Sequence, residues 1–222
     1  MRLKLLAAAV AAAAITAPAF AQAATVVENA TIPISPVPYT YAFSLPSFNT
    51  ALGTLQSVTF ELTDSTTAAV QIFNATAGAL SFTNATASIP LTVTGPGGMS
   101  ISDTITASVA SGVATSGLNT FSGVTGTHSA NTSFTSGLSA FESGSVVNLS
   151  YLADASQGTY TGTGPTGLFF GGSANAGGTF EIIYNYAAVP EPATWAFLML
   201  GLGGIGAAMR TRRKGGLALT AA

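Results

Sequence analysis

Along the middle of this chain, apolar and polar positions alternate with a period of two over several short stretches, the signature of half-buried strands. Tyr39, Tyr41 and Phe43 alternate with the small Thr40 and Ala42. Val58, Phe60 and Leu62 alternate with Thr59, Glu61 and Thr63, and residues 101–109 follow the same pattern more loosely. Residues 146–151 and 180–186 carry the clearest late strands. Turns are expected where glycine and proline gather, at 95–98, 162–167 and 171–172. Residues 111–139 are poor in large apolar groups and predict long loops or weak strands. No stretch of ten or more residues in this region shows a helical period with caps. The expected fold is all-β, an antiparallel β-sandwich of jelly-roll-like type.

The two ends break the pattern. Arg2 and Lys4 precede an apolar stretch at 5–15, and Pro18 interrupts it before Ala19-Phe20-Ala21. Eleven or so apolar residues are too few to span a bilayer, and the order matches a cleavable secretory signal. Cleavage is expected before Gln22, with Ala21-Gln22-Ala23 as a second possible site. At the other end, Pro190 and Pro192 hold the chain extended around Glu191. Trp195 opens an uncharged run to 209, which as a helix measures about 22 Å against a hydrocarbon core of about 30 Å. Arg210, Arg212, Arg213 and Lys214 then supply the positive-inside signal. One short C-terminal transmembrane helix is expected, weakened as a permanent anchor by Gly201, Gly203, Gly204 and Gly206. The expected division is a signal peptide at 1–21, an ectodomain at 22–188, a sorting segment at 189–214 and a short tail at 215–222.

Charge sharpens this division. All six Lys and Arg residues lie in the terminal segments, so residues 5–209 contain none, and trypsin is expected to cut nowhere between them. Of the eight acidic residues, all but Glu191 lie in the middle: Glu28, Glu61, Asp64, Asp103, Glu142, Asp154 and Glu181. A domain with acids and no base argues against nucleic acid, whose phosphates need cations to displace counterions. It also argues against anionic lipid surfaces. The chain has no cysteine, so disulfides, thiolate metal sites and Cys nucleophiles are excluded. Edge strands lack the usual lysines, which leaves Pro33, Pro36, Pro38 and Pro90 and the net negative charge to discourage edge pairing.

Pro190-Glu191-Pro192, Trp195-Ala196, the glycine-rich apolar run and the basic cluster together resemble a PEP-CTERM sorting domain of the PEPxxWA variety. The resemblance covers about 25 residues, and eight residues follow the basic cluster where many such tails stop. It implies that an exosortase, an integral-membrane Cys transpeptidase, recognises the Pro-Glu-Pro region, cleaves the tail and passes the domain outward. Signal peptidase would process the other end, and the membrane helix would be a transient intermediate. The setting implied is the envelope of a bacterium with an outer membrane that makes exopolysaccharide. Within the middle, residues 39–63, YTYAFSLPSFNTALGTLQSVTFELT, resemble the opening of the choice-of-anchor E domain. Tyr160-Thr161-Gly162-Thr163-Gly164 and Tyr184-Asn185-Tyr186 fit its end. That family implies surface exposure and supplies no catalytic or binding residues.

Candidate chemistry is sparse, and no cofactor or metal is expected. His128 is the sole histidine; without a G-x-S-x-G elbow it reads as a solvated loop residue rather than a triad member. Glu61, Glu142, Asp154 and Glu181 have the right chemistry for paired-carboxylate glycoside hydrolysis. Glu61 and Glu181 fit better on solvent faces of strands. Residues 162–167 match G-x-G-x-x-G, but strands surround them and no helix is expected to follow. Residues 154–158 offer oxygens for Ca²⁺ around a single carboxylate, so a turn is the simpler reading. Sequons at Asn29, Asn74, Asn84, Asn131 and Asn148 follow from composition. Tyr39, Tyr41, Tyr151 and Tyr160 would stack on sugars if exposed, but in a sandwich they more often fill the core. These features favour a non-enzymatic surface or matrix protein among exopolysaccharides, with a carbohydrate-binding module or a polysaccharide hydrolase as alternatives.

Overall fold

The computed structural model describes residues 23–142, 145–154, 158–189 and 192–215. The expected cleavage-site residues Ala19, Ala21 and Gln22 lie outside these residues, as do Pro190 and Glu191. Among the described residues, nine strands precede one α-helix: β1 (Ala23–Pro36), β2 (Tyr39–Pro46), β3 (Gly53–Asn74), β4 (Leu80–Thr94), β5 (Ser100–Ala114), β6 (Gly117–Phe134), β7 (Val146–Ala153), β8 (Thr159–Thr163), β9 (Leu168–Ala188) and α1 (Pro192–Gly215). One sheet has the order β1-β9-β3-β6. The other has β2-β7-β4-β5, with β8 added against β4. The pairs β4/β5, β3/β6, β2/β7 and β1/β9 nest like a long hairpin wrapped over itself, which is the jelly-roll arrangement expected from the sequence. The pairings β2/β7, β3/β6, β4/β5, β4/β7 and β4/β8 are antiparallel.

Strand sequences explain which face each side chain takes. On β3, Val58, Phe60, Leu62, Val70 and Ile72 point inward and are fully buried, while the intervening Thr, Glu and Gln residues face out. Leu91 and Val93 of β4, Ile101 and Ile105 of β5, and Phe180, Ile182 and Tyr184 of β9 meet them from their own strands. Each large apolar side chain so buried contributes about 1.5–3 kcal/mol. Phe60 is the aromatic hub. Its ring lies edge-on to Phe134, Phe180 and Phe141, with centroids 5.0, 5.2 and 5.8 Å away. Outward positions are tied across strands by hydroxyls, as in Thr59–Ser133 at 2.7 Å and Thr63–Ser129 at 3.0 Å.

Four sequence expectations are corrected or narrowed. Of the two readings of residues 111–139, long loops or weak strands, the strands are found: the segment finishes β5 and contains all of β6, which pairs with β3 over almost its whole length, before the chain turns at 135–139. Phe121, Val124, Ala130 and Phe134 give β6 enough apolar contact, and Ser and Thr complete the outward face. A bulge opposite Ala68 and Val70, with Gly123 at φ +72°, shifts the parity and hides the alternation. Gly171 and Gly172 do not make a turn but lie within β9. Gly172 has φ +153°, and a Cβ there would collide with the Ala69 carbonyl of β3, so glycine permits a close crossing. Gly162 likewise belongs to β8, and the turn begins after Thr163. The edge prolines Pro33 and Pro36 are on β1, an edge strand. Pro90 is inside β4 instead, in the gap between its pairings with β8 at 83–88 and with β7 at 91–94.

Candidate functional site

The carboxylates singled out by type are spread over the sandwich. Glu61 on β3 and Glu181 on β9 take outward positions between buried neighbours, as their alternation predicted. Glu142 follows a 3-10 turn at Leu138–Phe141, and Asp154 follows β7, its amide donating to the Pro90 carbonyl at 3.1 Å. Most of the 154–158 segment lies outside the described residues. The literal G-x-G-x-x-G at 162–167 joins strand to strand, with no helix N-terminus for a phosphate. Among the sequons, Asn74 is 1% exposed and is a structural residue. Its amide nitrogen donates to the Gly78 and Ala114 carbonyls at 2.8 Å each, and its oxygen accepts from the Thr76 amide and hydroxyl.

The tyrosines weighed as a sugar platform belong to the interior. Tyr151 is fully buried, and Tyr39, Tyr41 and Tyr160 are half-buried against the core. Two of them join a polar line that crosses the sandwich from edge to edge. The Tyr39 hydroxyl of β2 shares its one proton between the Pro33 carbonyl of β1 at 2.9 Å and the Ala176 carbonyl of β9 at 2.8 Å. The Tyr39 ring centroid is 5.6 Å from that of Tyr151 on β7. The Tyr151 hydroxyl reaches Asp64 Oδ1 on β3 at 3.4 Å. At the far edge, His128 of β6 bonds through Nδ1 to Asp103 Oδ2 of β5 at 2.6 Å. His128 is therefore a strand residue holding a carboxylate across the two sheets, not the loop histidine expected.

Asp64 is the unexpected member. It is 1% exposed, and its Oδ2 is buried with no hydrogen-bond partner. Burial pushes its carboxyl up to about 7, the negative charge of Asp103 adds to the rise, and the Tyr151 hydroxyl and His128 oppose it. Burial pushes the Tyr39 phenol up to about 12 and the Tyr151 phenol higher still, the latter assisted by the Asp64 charge. Sequence reasoning passed over Asp64, although it continues the inward series of Val58, Phe60 and Leu62. No group of three or more metal-ligating side chains is arranged to hold an ion among the described residues.

A different aromatic pair faces solvent. Phe73 on β3 is 47% exposed and Phe169 on β9 61%, with ring centroids 6.4 Å apart. With Gln71, Leu118, Phe170 and Gly171 they line an uncharged hollow of about 170 Å³. Gly171 has nothing within 4 Å of where a Cβ would be, which leaves the hollow open.

The C-terminal segment forms α1, 24 residues long. Pro192 occupies its first position, where a missing amide hydrogen costs nothing. Trp195, Arg210, Arg212, Arg213 and Lys214 all lie on this helix. Leu198, Met199, Leu200, Leu202 and Met209 are exposed along it, and Gly201, Gly203, Gly204 and Gly206 have open space around them. No helix among the described residues is long and apolar enough to cross a membrane.

Residues 188–214 match the PEP-CTERM protein-sorting motif. The match begins at the last residue of β9 and ends on the basic cluster, so it encloses Pro190, Glu191 and Pro192 as well as α1. A PEP-CTERM motif marks an exported protein that an exosortase sorts to the cell envelope or surface. No curated protein matches the chain. Among solved structures, the infectious bursal disease virus VP2 subviral particle aligns at 12% identity and TM-score 0.24, over 74% of this chain and 37% of its own. The structure of the Gt strain of that virus aligns at 13% identity and TM-score 0.23, over 77% and 37%. The chain thus spans little more than a third of those chains, and TM-scores this low support no argument from them.

Proposed function

We infer that the PEP-CTERM chain delivers a non-catalytic β-sandwich to the outer surface or extracellular matrix, where it works by contact with exopolysaccharide in envelope or biofilm assembly. The match at 188–214 carries this reading, because it points to an exported route for a domain that has acids but no Lys or Arg. On this route α1 enters the inner membrane as a transient stop. Its uncharged run is short, its four glycines weaken it, and its cationic end keeps the C-terminus inside. The domain then leaves with its outward Ser and Thr faces in water. Resemblance to the choice-of-anchor E domain supports the same setting.

The test is fractionation of the producing bacterium, with the protein located among cells, matrix and medium, together with a screen of the purified chain against polysaccharides. Co-isolation with matrix polymer and no hydrolysis fits the reading. Hydrolysis of any glycan overturns its non-catalytic part, and a uniform distribution without matrix enrichment overturns the rest.

One observation favours a narrower reading as a carbohydrate-binding module. Phe73 and Phe169 offer two exposed phenyl faces beside the Gln71 amide, and no charge lines the hollow. Such a surface suits a neutral sugar chain better than an anionic one. Retention on a neutral polysaccharide column that disappears in Phe169→Ala, with the fold unchanged, would support it. Equal retention of the variant would remove it.

A further inference from the structure

We propose that Asp64, Asp103 and His128 form a proton-controlled latch on the edge where β5 and β6 meet, shut while Asp64 carries a proton and released when the proton leaves. The geometry of that edge is specific. β5 ends one sheet and β6 ends the other, and their backbones come so close that a Cβ on Gly126 would collide with the Thr106 carbonyl. Two residues on, His128 reaches across to Asp103. Asp64 is the cross-strand partner of His128 in the β3/β6 ladder, directly behind the clasp. Its Oδ2 has no donor, so an ionised carboxylate there is neither solvated nor fully paired.

The groups around it leave few ways to neutralise that charge. β7 presents the Tyr151 hydroxyl, with Tyr39 of β2 behind it; β5 presents Asp103, a like charge; β6 presents His128. β9 brings Gly178 against the Asp64 backbone, with no side chain to offer. At this level β4 carries Leu91 and Val93, the partners of Asp103 and Tyr151. The domain has no Lys or Arg. Beyond the long Tyr151 hydrogen bond and the neighbouring His128, an ionised Asp64 gains solvation only from water, and the short way for water to reach it is past His128, whose side chain is 55% exposed. Parting β5 from β6 admits that water and separates the two carboxylates. This reading does not depend on the ligand or on the sorting route.

The direction follows from linkage. A buried carboxyl that holds its proton more tightly when folded stabilises the shut state fully below about pH 4 and loses that contribution as pH rises to about 7. The test uses the purified full chain in mild detergent and reads amide protection factors at pH 5 and pH 9. Protection at Ser100–Ala114 and Gly117–Phe134, and at the β3 amides bonded to β6, should fall by one to three orders of magnitude between the two, while β9 and the β3 amides bonded to it stay protected. Asp64→Asn, which keeps the shape and cannot ionise, should show no such fall. Carbon-13 titration of the Asp64 carboxyl in the wild-type chain keeps the test valid if the variant does not fold. A midpoint in the ordinary carboxylate range, an edge equally protected at both pH values, or the same fall in Asp64→Asn would each overturn the latch.

Discussion

Replacing Asn74 with Asp changes one group, an amide nitrogen to an oxygen, at a site where every partner is known. Asn74 ends β3 and is 1% exposed. Its acceptor side, facing the Thr76 amide at 2.9 Å and hydroxyl at 2.7 Å, survives the change. Its donor side does not, and the Gly78 and Ala114 carbonyls at 2.8 Å would face an oxygen. Two lost hydrogen bonds at about 1 kcal/mol each, plus a carbonyl left buried and unpaired, give a loss of about 3–5 kcal/mol at pH 8. Protonation restores one donor, so the new carboxyl binds its proton more tightly folded than unfolded. The penalty should then shrink to about 1–2 kcal/mol near pH 3.5 and grow as pH rises. Urea unfolding of both proteins at the two pH values, compared as a difference at each, removes the pH dependence of the parent. A difference below 1 kcal/mol at pH 8, or one that does not change with pH, would refute this account of the turn.

Other perturbations probe the core, the edge and the acid. Phe60→Ala should cost about 3–5 kcal/mol, because the ring is fully buried among three edge-on neighbours; Phe60→Leu should cost clearly less, and equal losses would contradict the hub. Gly126→Ala should cost about 1–3 kcal/mol by driving a methyl into the Thr106 carbonyl, with exchange quickened in β5 and β6 first; an unchanged unfolding midpoint would show that the edge gives freely. The wild-type chain should lose stability by up to about 4 kcal/mol between pH 4 and pH 7, since Asp64 titrates at about 7 when folded and near 4 when unfolded. A stability that rises over that interval would contradict the assignment.

Much of the sandwich was legible because its strands state their faces. The alternations at Tyr39–Phe43, Val58–Leu62 and Phe180–Tyr186 became β2, β3 and β9, and the aromatic members turned inward. What stayed hidden was hidden by small residues and parity breaks. In β4 the inward positions pass from Phe82 to Ala85 and Ala87, with Asn84 at φ 52° where the parity changes, and alanines give a weak apolar signal. In β6 the bulge at Gly123 does the same work. Asp64 was within reach, because the inward series of β3 runs straight through it; an acid at an inward position is itself a signal of unusual chemistry. The Asp103–His128 bond was not, since the residues are 25 positions apart and meet only where two sheets close. The exposed Phe73 and Phe169 were also beyond the pattern, because nothing local tells an outward phenylalanine from an inward one.

The route of the chain can be read from its ends. Mass spectrometry of the protein from its native cells, with and without the exosortase, defines both termini in each case. The account predicts, in normal cells, a chain beginning near Gln22 and ending before α1, found outside the inner membrane. Without the exosortase it predicts the same beginning with Arg210 and the residues after it retained, in the membrane fraction. An intact chain from Met1 to Ala222 in the cytosol, or the same C-terminus in both strains, would contradict it.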